Sequence, residues 1–324
     1  MRYRMGIDIG GTKCAVLLGR DGEKGGEDMM LLEKRVFDTK KIGGPGAAIA
    51  VFLQAADNMM EQYALRSEDL GGIGISCGGP LNSKTRVILN PPNLPGWRDV
   101  AIGSILENKY GVPVFLENDA NACAMAEWKY GAGRGRRNVI FLTFGTGLGA
   151  GLILDGRLYR GTNDMAGEVG HIRLAECGPV GYGKMGSFEG FCSGCGINQI
   201  AGMKILEQVE MGMEPGLWGS SGKAVEPDAK TVAAAADAGD PLARDIFAMS
   251  GTYLGKGLSI LIDILNPDMI IIGSIFERSR HLIWPYAKEV IQRESLQMSR
   301  RVCDIVPSQL GDQIGDYAAL ALID

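Results

Sequence analysis

The stretch MGIDIGGTKCAVLL, residues 5–18, limits the fold more than any other part of the chain. It reads as a buried strand that is broken by an acid, Asp8, and by Gly10-Gly11-Thr12, before apolar residues resume at Cys14. Glycines weaken strand interiors, so their place here marks a tight turn or a close approach of backbone to a ligand. The pattern recurs as VIFLTFGTGLGAGLIL, residues 139–154, again strand, glycine turn and strand. Aligning Ile7–Thr12 with Leu142–Gly147 sets Thr143 opposite Asp8. A duplicated hairpin implies two halves of one topology.

Between and after these hairpins, strands alternate with helices, which implies an α/β protein. The expected helices cover 45–64, 100–110, a segment opening at 117–121, 195–210, 229–238, 241–265, 282–294 and 312–323. The expected strands include 31–38, 73–76, 112–117, 269–274 and 302–306, and 211–227 reads as a loop. A chain of 324 residues suits two domains. Net charge is −5, so no basic field favours nucleic acid. The first residues show no secretion signal, no run reaches a membrane span, and seven scattered cysteines suit reduced thiols. A cytoplasmic protein is expected.

The hairpins suggest chemistry. A glycine-tipped turn directs N–H groups and a hydroxyl at one place, which suits phosphate oxygens. An aspartate just before the tip would repel phosphate unless a divalent cation lies between them. Asp8 with Gly10, Gly11 and Thr12 therefore reads as a Mg²⁺–phosphate site, with Asp8 reaching the metal directly or through water. Lys13 is a minor candidate for phosphate contact, and Gly145, Thr146 and Gly147 form the second turn. No Walker loop occurs.

The order of DIGGTK (8–13), GISCGGPL (74–81), NPPNLPGW (90–97), ENDANACAMAEWKYGAGRGRRN (117–138), FGTGLGAGLILDGRLYRG (144–161), AGEVGH (166–171) and NPDMIIIGS (266–274) resembles that of sugar kinases of the ROK family. That family belongs to the actin/hexokinase-like superfamily. The resemblance implies two ribonuclease-H-like domains with a cleft between them, here 1–118, joined by a C-terminal helix at 312–324, and 119–311. It implies transfer of a phosphoryl group from ATP to the 6-hydroxyl of a hexose, glucose first, with an N-acetylhexosamine, mannose or fructose as alternatives. Asp119 would be the base that accepts the hydroxyl proton. Asn118 would hold a neighbouring hydroxyl, although both residue types equally suit a helix N-cap. Gly79, Asn93, Glu168, His171 and Glu189 would complete the sugar site, and Gly273 would let backbone approach the nucleotide. A homodimer is the family expectation.

Two departures bear on this. Many ROK proteins bind a structural zinc through a histidine and three cysteines. Here Val180, Tyr182 and Ser187 stand at the three cysteine positions, and none is a good zinc ligand. No zinc is expected. Cys177, Cys192, Cys195 and His171 form an alternative set, for which buried thiols are the simpler reading. The rival functions are a sugar-sensing repressor and a catalytically dead sugar-binding protein. The start of the phosphate motif at residue 8 argues against a preceding DNA-binding domain, and the presence of Asp8 and Asp119 argues against a dead enzyme.

Overall fold

A computed structural model describes residues 2–22, 28–214 and 227–323, so most of the expected loop at 211–227 lies outside the described residues. The chain divides into two compact units. The first comprises residues 1–137, 151–166 and 309–324, and the second comprises 138–150 and 167–308.

The first unit is built on β1 (Tyr3–Ile9), β2 (Lys13–Asp21), β3 (Met29–Asp38), β4 (Leu70–Cys77) and β5 (Val114–Asn118), in the order β3-β2-β1-β4-β5. β1 and β2 form an antiparallel hairpin with Asp8 opposite Ala15, whereas β1, β4 and β5 run parallel. The period of two in the sequence sorts side chains onto two faces. Cys14, Val16 and Leu18 join Met5, Ile7 and Ile9 in one core, while Ala15 and Leu17 join a second.

Helix α1 (Pro45–Gln62) covers the first face. It starts with proline in its first turn and buries Ala48, Phe52, Ala55, Ala56 and Met59, one stripe at helical spacing. Each large side chain buried this way stabilises the unit by roughly 1.5–3 kcal/mol. α2 (Ile102–Tyr110) ends at Gly111, whose φ of 68° is left-handed. α3 (Asp119–Tyr130) follows β5 without a loop.

The other face is closed by α8 (Ile314–Leu320), which buries Ala318, Ala319 and Leu320. Gly6 on β1 and Gly74 on β4 make this possible, because a Cβ on Gly74 would collide with the carbonyl of Ala319. Arg4, 6% exposed, ties the chain end by donating to Ile323 O and pairing with Asp21 at 2.7 Å.

A second sheet contains β6 (Val139–Phe144), β7 (Leu148–Leu154), β8 (Arg157–Leu158), β9 (Met269–Ile272) and β10 (Asp304–Pro307), in the order β8-β7-β6-β9-β10. β6, β9 and β10 are parallel. Among the described residues the longer helices of the second unit are α4 (Gly194–Glu210), α5 (Ala229–Asp237), α6 (Pro241–Leu265) and α7 (Ile275–Glu294). α6 and α7 pack closely at Gly251 and Gly255, where a Cβ would lie 2.5 and 2.6 Å from the carbonyls of Ile283 and Ala287. Among the described residues no helix is long and apolar enough to cross a membrane.

Three expectations need correction. The helix expected at 282–294 begins at Ile275, with a non-helical residue at Ser279 that divides its periodicity. The strand expected from 302 starts at Asp304, because Gln297–Val302 is helical. The helix expected at 312–323 is regular only over Ile314–Leu320, after a single 3₁₀ turn at Gly311–Gln313.

Candidate functional site

Parallel strands end where α/β proteins place ligands, outside their carboxyl ends. In the first unit β1 ends at Ile9, β4 at Cys77 and β5 at Asn118. The register sets Asp8 beside Ser76 and Cys77 beside Asn118. Asp8, Ser76, Asn118 and Asp119 thus come to one edge of one sheet.

Asp8 receives a hydrogen bond from Ser76, yet loss of water raises its carboxyl from 3.8 to about 6. Asp119 and Asp316 raise it further, and Lys34 opposes them. Desolvation also raises the Asp119 carboxyl above its ordinary value, against hydrogen bonds from its own N–H and from Ala120 N, the latter at 2.8 Å. Asp119 nevertheless keeps an exposed face. Two carboxylates near one another, each disfavoured in its charged form, suit a site that is completed by positive charge or by a proton. The donor set fits Mg²⁺, a hard cation that takes carboxylate oxygens and retains water and phosphate ligands.

The first hairpin closes through Gly10 N to Lys13 O at 3.0 Å. Thr39 braces it, donating its hydroxyl to Gly10 O at 2.7 Å and its N–H to Thr12 O at 3.0 Å. Thr12 and Lys13 are exposed at the tip. Gly11 meets the NPPNLPGW loop directly, since a Cβ there would lie 2.7 Å from Asn93 O. Asn93 and Gly79 are both exposed. Asn118 is the N-cap of α3 and accepts from Asn121 N at 2.7 Å, which leaves Asp119 in the first helical turn.

In the second unit the hairpin closes through Gly145 N to Gly147 O. Its carbonyls accept from the start of α4, Gly145 O from Gly194 N at 2.7 Å and Thr146 O from Cys195 N at 3.3 Å. Thr143 does not copy Asp8, because its hydroxyl accepts from Gly149 N at 2.9 Å and clasps the hairpin. Glu189 is drawn to the same hairpin and accepts from Leu148 N at 2.9 Å. Gly147 leaves room for this, as a Cβ there would lie 2.7 Å from the Glu189 carboxylate. Glu168 is the N-cap residue and His171 the last residue of one 3₁₀ turn, Val169–His171. Both are exposed. Gly273 sits at the end of β9 with its N–H on Leu142 O, and Ser274 takes the N-cap position of α7.

The residues at the zinc positions are otherwise engaged. Gln199 donates to Val180 O at 2.8 Å and accepts from Val180 N at 2.9 Å. Ser187 caps a short helix by accepting from Gly190 N at 3.1 Å. Tyr182 is exposed and meets the His171 ring edge-on. Of the alternative cysteines only Cys192 is buried; Cys177 and Cys195 are exposed, which corrects the expectation of buried thiols. Cys195 lies in the first turn of α4, beyond the N-cap Ser193, and is exposed while Gly196 and Ile197 beside it are buried. Among the described residues no group of three or more His, Cys, Asp or Glu could hold a metal ion.

Sequence reasoning missed Ser76. Ser76 stood inside a quoted motif, but only the pairing of β1 with β4 brings it to Asp8.

The model of the ROK family matches residues 4–324. A glucokinase of Halalkalibacterium halodurans is 34% identical over 84% of this chain and 80% of its own length. A ROK family glucokinase from Streptomyces griseus, solved in complex with glucose and AMPPNP, is 29% identical with a TM-score of 0.76 and 99% of both chains covered. A ROK family transcriptional regulator, a homolog of the E. coli MLC protein, is 27% identical with a TM-score of 0.82, over 99% of this chain and 77% of that one.

Proposed function

The chain belongs to the ROK family, whose sugar kinases have the actin/hexokinase-like two-domain fold, and we propose on that premise that it is an ATP-dependent hexose kinase acting on the 6-hydroxyl of glucose. The pair of raised carboxyls, Asp8 and Asp119, at the ends of parallel strands carries this reading.

In the proposed reaction Asn118, Glu168, His171 and Glu189 orient the sugar, with Asn93 and Gly79 beside it. Asp119 accepts the hydroxyl proton as the oxygen attacks the γ-phosphorus, and ADP leaves. A carboxyl held above its ordinary pKa is a stronger base once ionised, which suits that task. The glycine turns at residues 10–12 and 145–147 bind the phosphates through backbone N–H groups, with Gly273 toward the nucleoside. Lys13 is available at the edge of the first turn. Asp8 would hold Mg²⁺, directly or through water, and the ion when bound neutralises charge on the phosphate oxygens. No structural zinc is proposed, because Val180, Tyr182 and Ser187 offer no ligand set.

ADP release over a panel of glucose, mannose, fructose and N-acetylhexosamines tests this, with glucose expected to give the highest kcat/KM. A second reading, a sugar-sensing regulator, rests on the likeness to the transcriptional regulator. Glucose binding without any hexose-dependent ADP release would favour it.

A further inference from the structure

Glu117 precedes the Asn118-Asp119 pair and is 1% exposed, an unusual place for a carboxylate. Both of its oxygens are engaged. Oε2 accepts from Arg160 Nε at 2.5 Å. Oε1 accepts from Asn121 Nδ2 at 3.0 Å and from Asn118 N at 3.3 Å. Asn121 is itself fully buried, its Oδ1 has no partner, and its backbone N–H donates to the Asn118 cap. Glu117 is therefore the side-chain anchor of Asn121, and through it of the first turn of α3.

We propose that Arg160 and Glu117 form a positioning pair that holds the first turn of α3, and with it Asp119, in working geometry. The proposal rests on the assignment of Asp119 as the base. Arg160 arrives from the far side of the sequence, just after β8. Its segment is fastened by Tyr159 N to Leu152 O at 2.8 Å and by Ala166 N to Arg160 O at 3.1 Å. Asp164 then clamps the segment to Ser83, accepting from its N–H at 3.0 Å and its hydroxyl at 2.7 Å. The guanidinium thus reaches a buried charge from a braced loop, while its own side chain stays 44% exposed. Removing it leaves the Glu117 carboxylate buried without its cationic partner, and such a group must rotate or recruit water. Either response draws Oε1 away from Asn121. Displacement of a reacting group by about 1 Å costs on the order of 100-fold in rate.

The test compares Arg160→Met, Arg160→Lys and the double variant Arg160→Met/Glu117→Gln in hexose-dependent ADP release, with thermal melts of each. Arg160→Met should lower kcat about 10–100-fold and leave both KM values within about threefold. Arg160→Lys should restore most of the loss. The double variant should also recover, because the amide that replaces the Glu117 carboxylate carries no charge yet still accepts from Asn121 and Asn118. Should Arg160→Met fail to fold, the lysine and double variants carry the comparison. Wild-type kcat in Arg160→Met, a loss confined to KM, or a double variant no better than the single one would overturn the pair. An Asp119→Asn control separates this from the base assignment. If that variant is inactive while Arg160→Met is unaffected, only the positioning role falls; if Asp119→Asn turns over normally, the base assignment itself falls.

Discussion

Asp8→Asn should make the ligand-free protein more stable and less active. Burial raises the Asp8 carboxyl from 3.8 to about 6, so the folded chain binds that proton more tightly than the unfolded one. Stability from this group is complete below the unfolded pKa and is lost as pH rises through the folded one. From 3.8 to about 6 the loss at neutral pH is at most about 3 kcal/mol. Asp8 keeps part of its surface in water, and screening reduces the expected gain to about 1–2 kcal/mol. Asparagine removes the charge and still accepts from Ser76. Urea unfolding, followed by fluorescence without nucleotide or divalent metal, should show a midpoint about half a molar higher for the variant at pH 7.5. At pH 4.5 only about a third of that advantage should remain, because the wild-type carboxyl is then largely protonated in the folded state. The same variant should lose most of its kcat/KM for MgATP, since a neutral amide holds Mg²⁺ poorly. A variant less stable than wild type at pH 7.5, or equally advantaged at both pH values, would refute the reasoning.

Other outcomes follow from neighbouring contacts. Gly11→Ala sets a Cβ 2.7 Å from Asn93 O, so the hairpin and the NPPNLPGW loop must part. It should destabilise by about 1–3 kcal/mol in urea and raise the KM for hexose or ATP several-fold. A strong zinc chelator should leave the melting temperature unchanged, because Gln199 and Lys184, the latter donating to His171 O at 2.7 Å, secure the loop that cysteines and zinc would otherwise hold. A chelator-induced drop of several degrees would show that metal supports it.

Much of the fold was legible because its signals are local. The glycine turns, the proline start of α1 and the cap of α3 each lie within a few residues of what they control. Of the candidate site, the sequence shows the residues that sit beside a turn, Asp8 and Asn118-Asp119, which the register brings to one sheet edge. The rest was hidden where partners meet only through sheet register or a distant loop. Ser76 reaches Asp8 across 68 positions of sequence, and Arg160 reaches Glu117 across 43. The outward turn of Cys195 was equally hidden, because the apparent C-x-x-C straddles the N-cap Ser193, with Cys192 on the core side and Cys195 on the helix beyond. Ser279 interrupts α7, which obscured its first turns in the apolar pattern.

The central claim is that a carboxylate at the start of α3 takes the proton from the acceptor hydroxyl. Single-turnover phosphoryl transfer from MgATP to glucose by Asp119→Asn measures this most directly. The account predicts a rate lower by about 10²–10⁴-fold with glucose affinity within a few-fold of wild type. A rate close to wild type would contradict it.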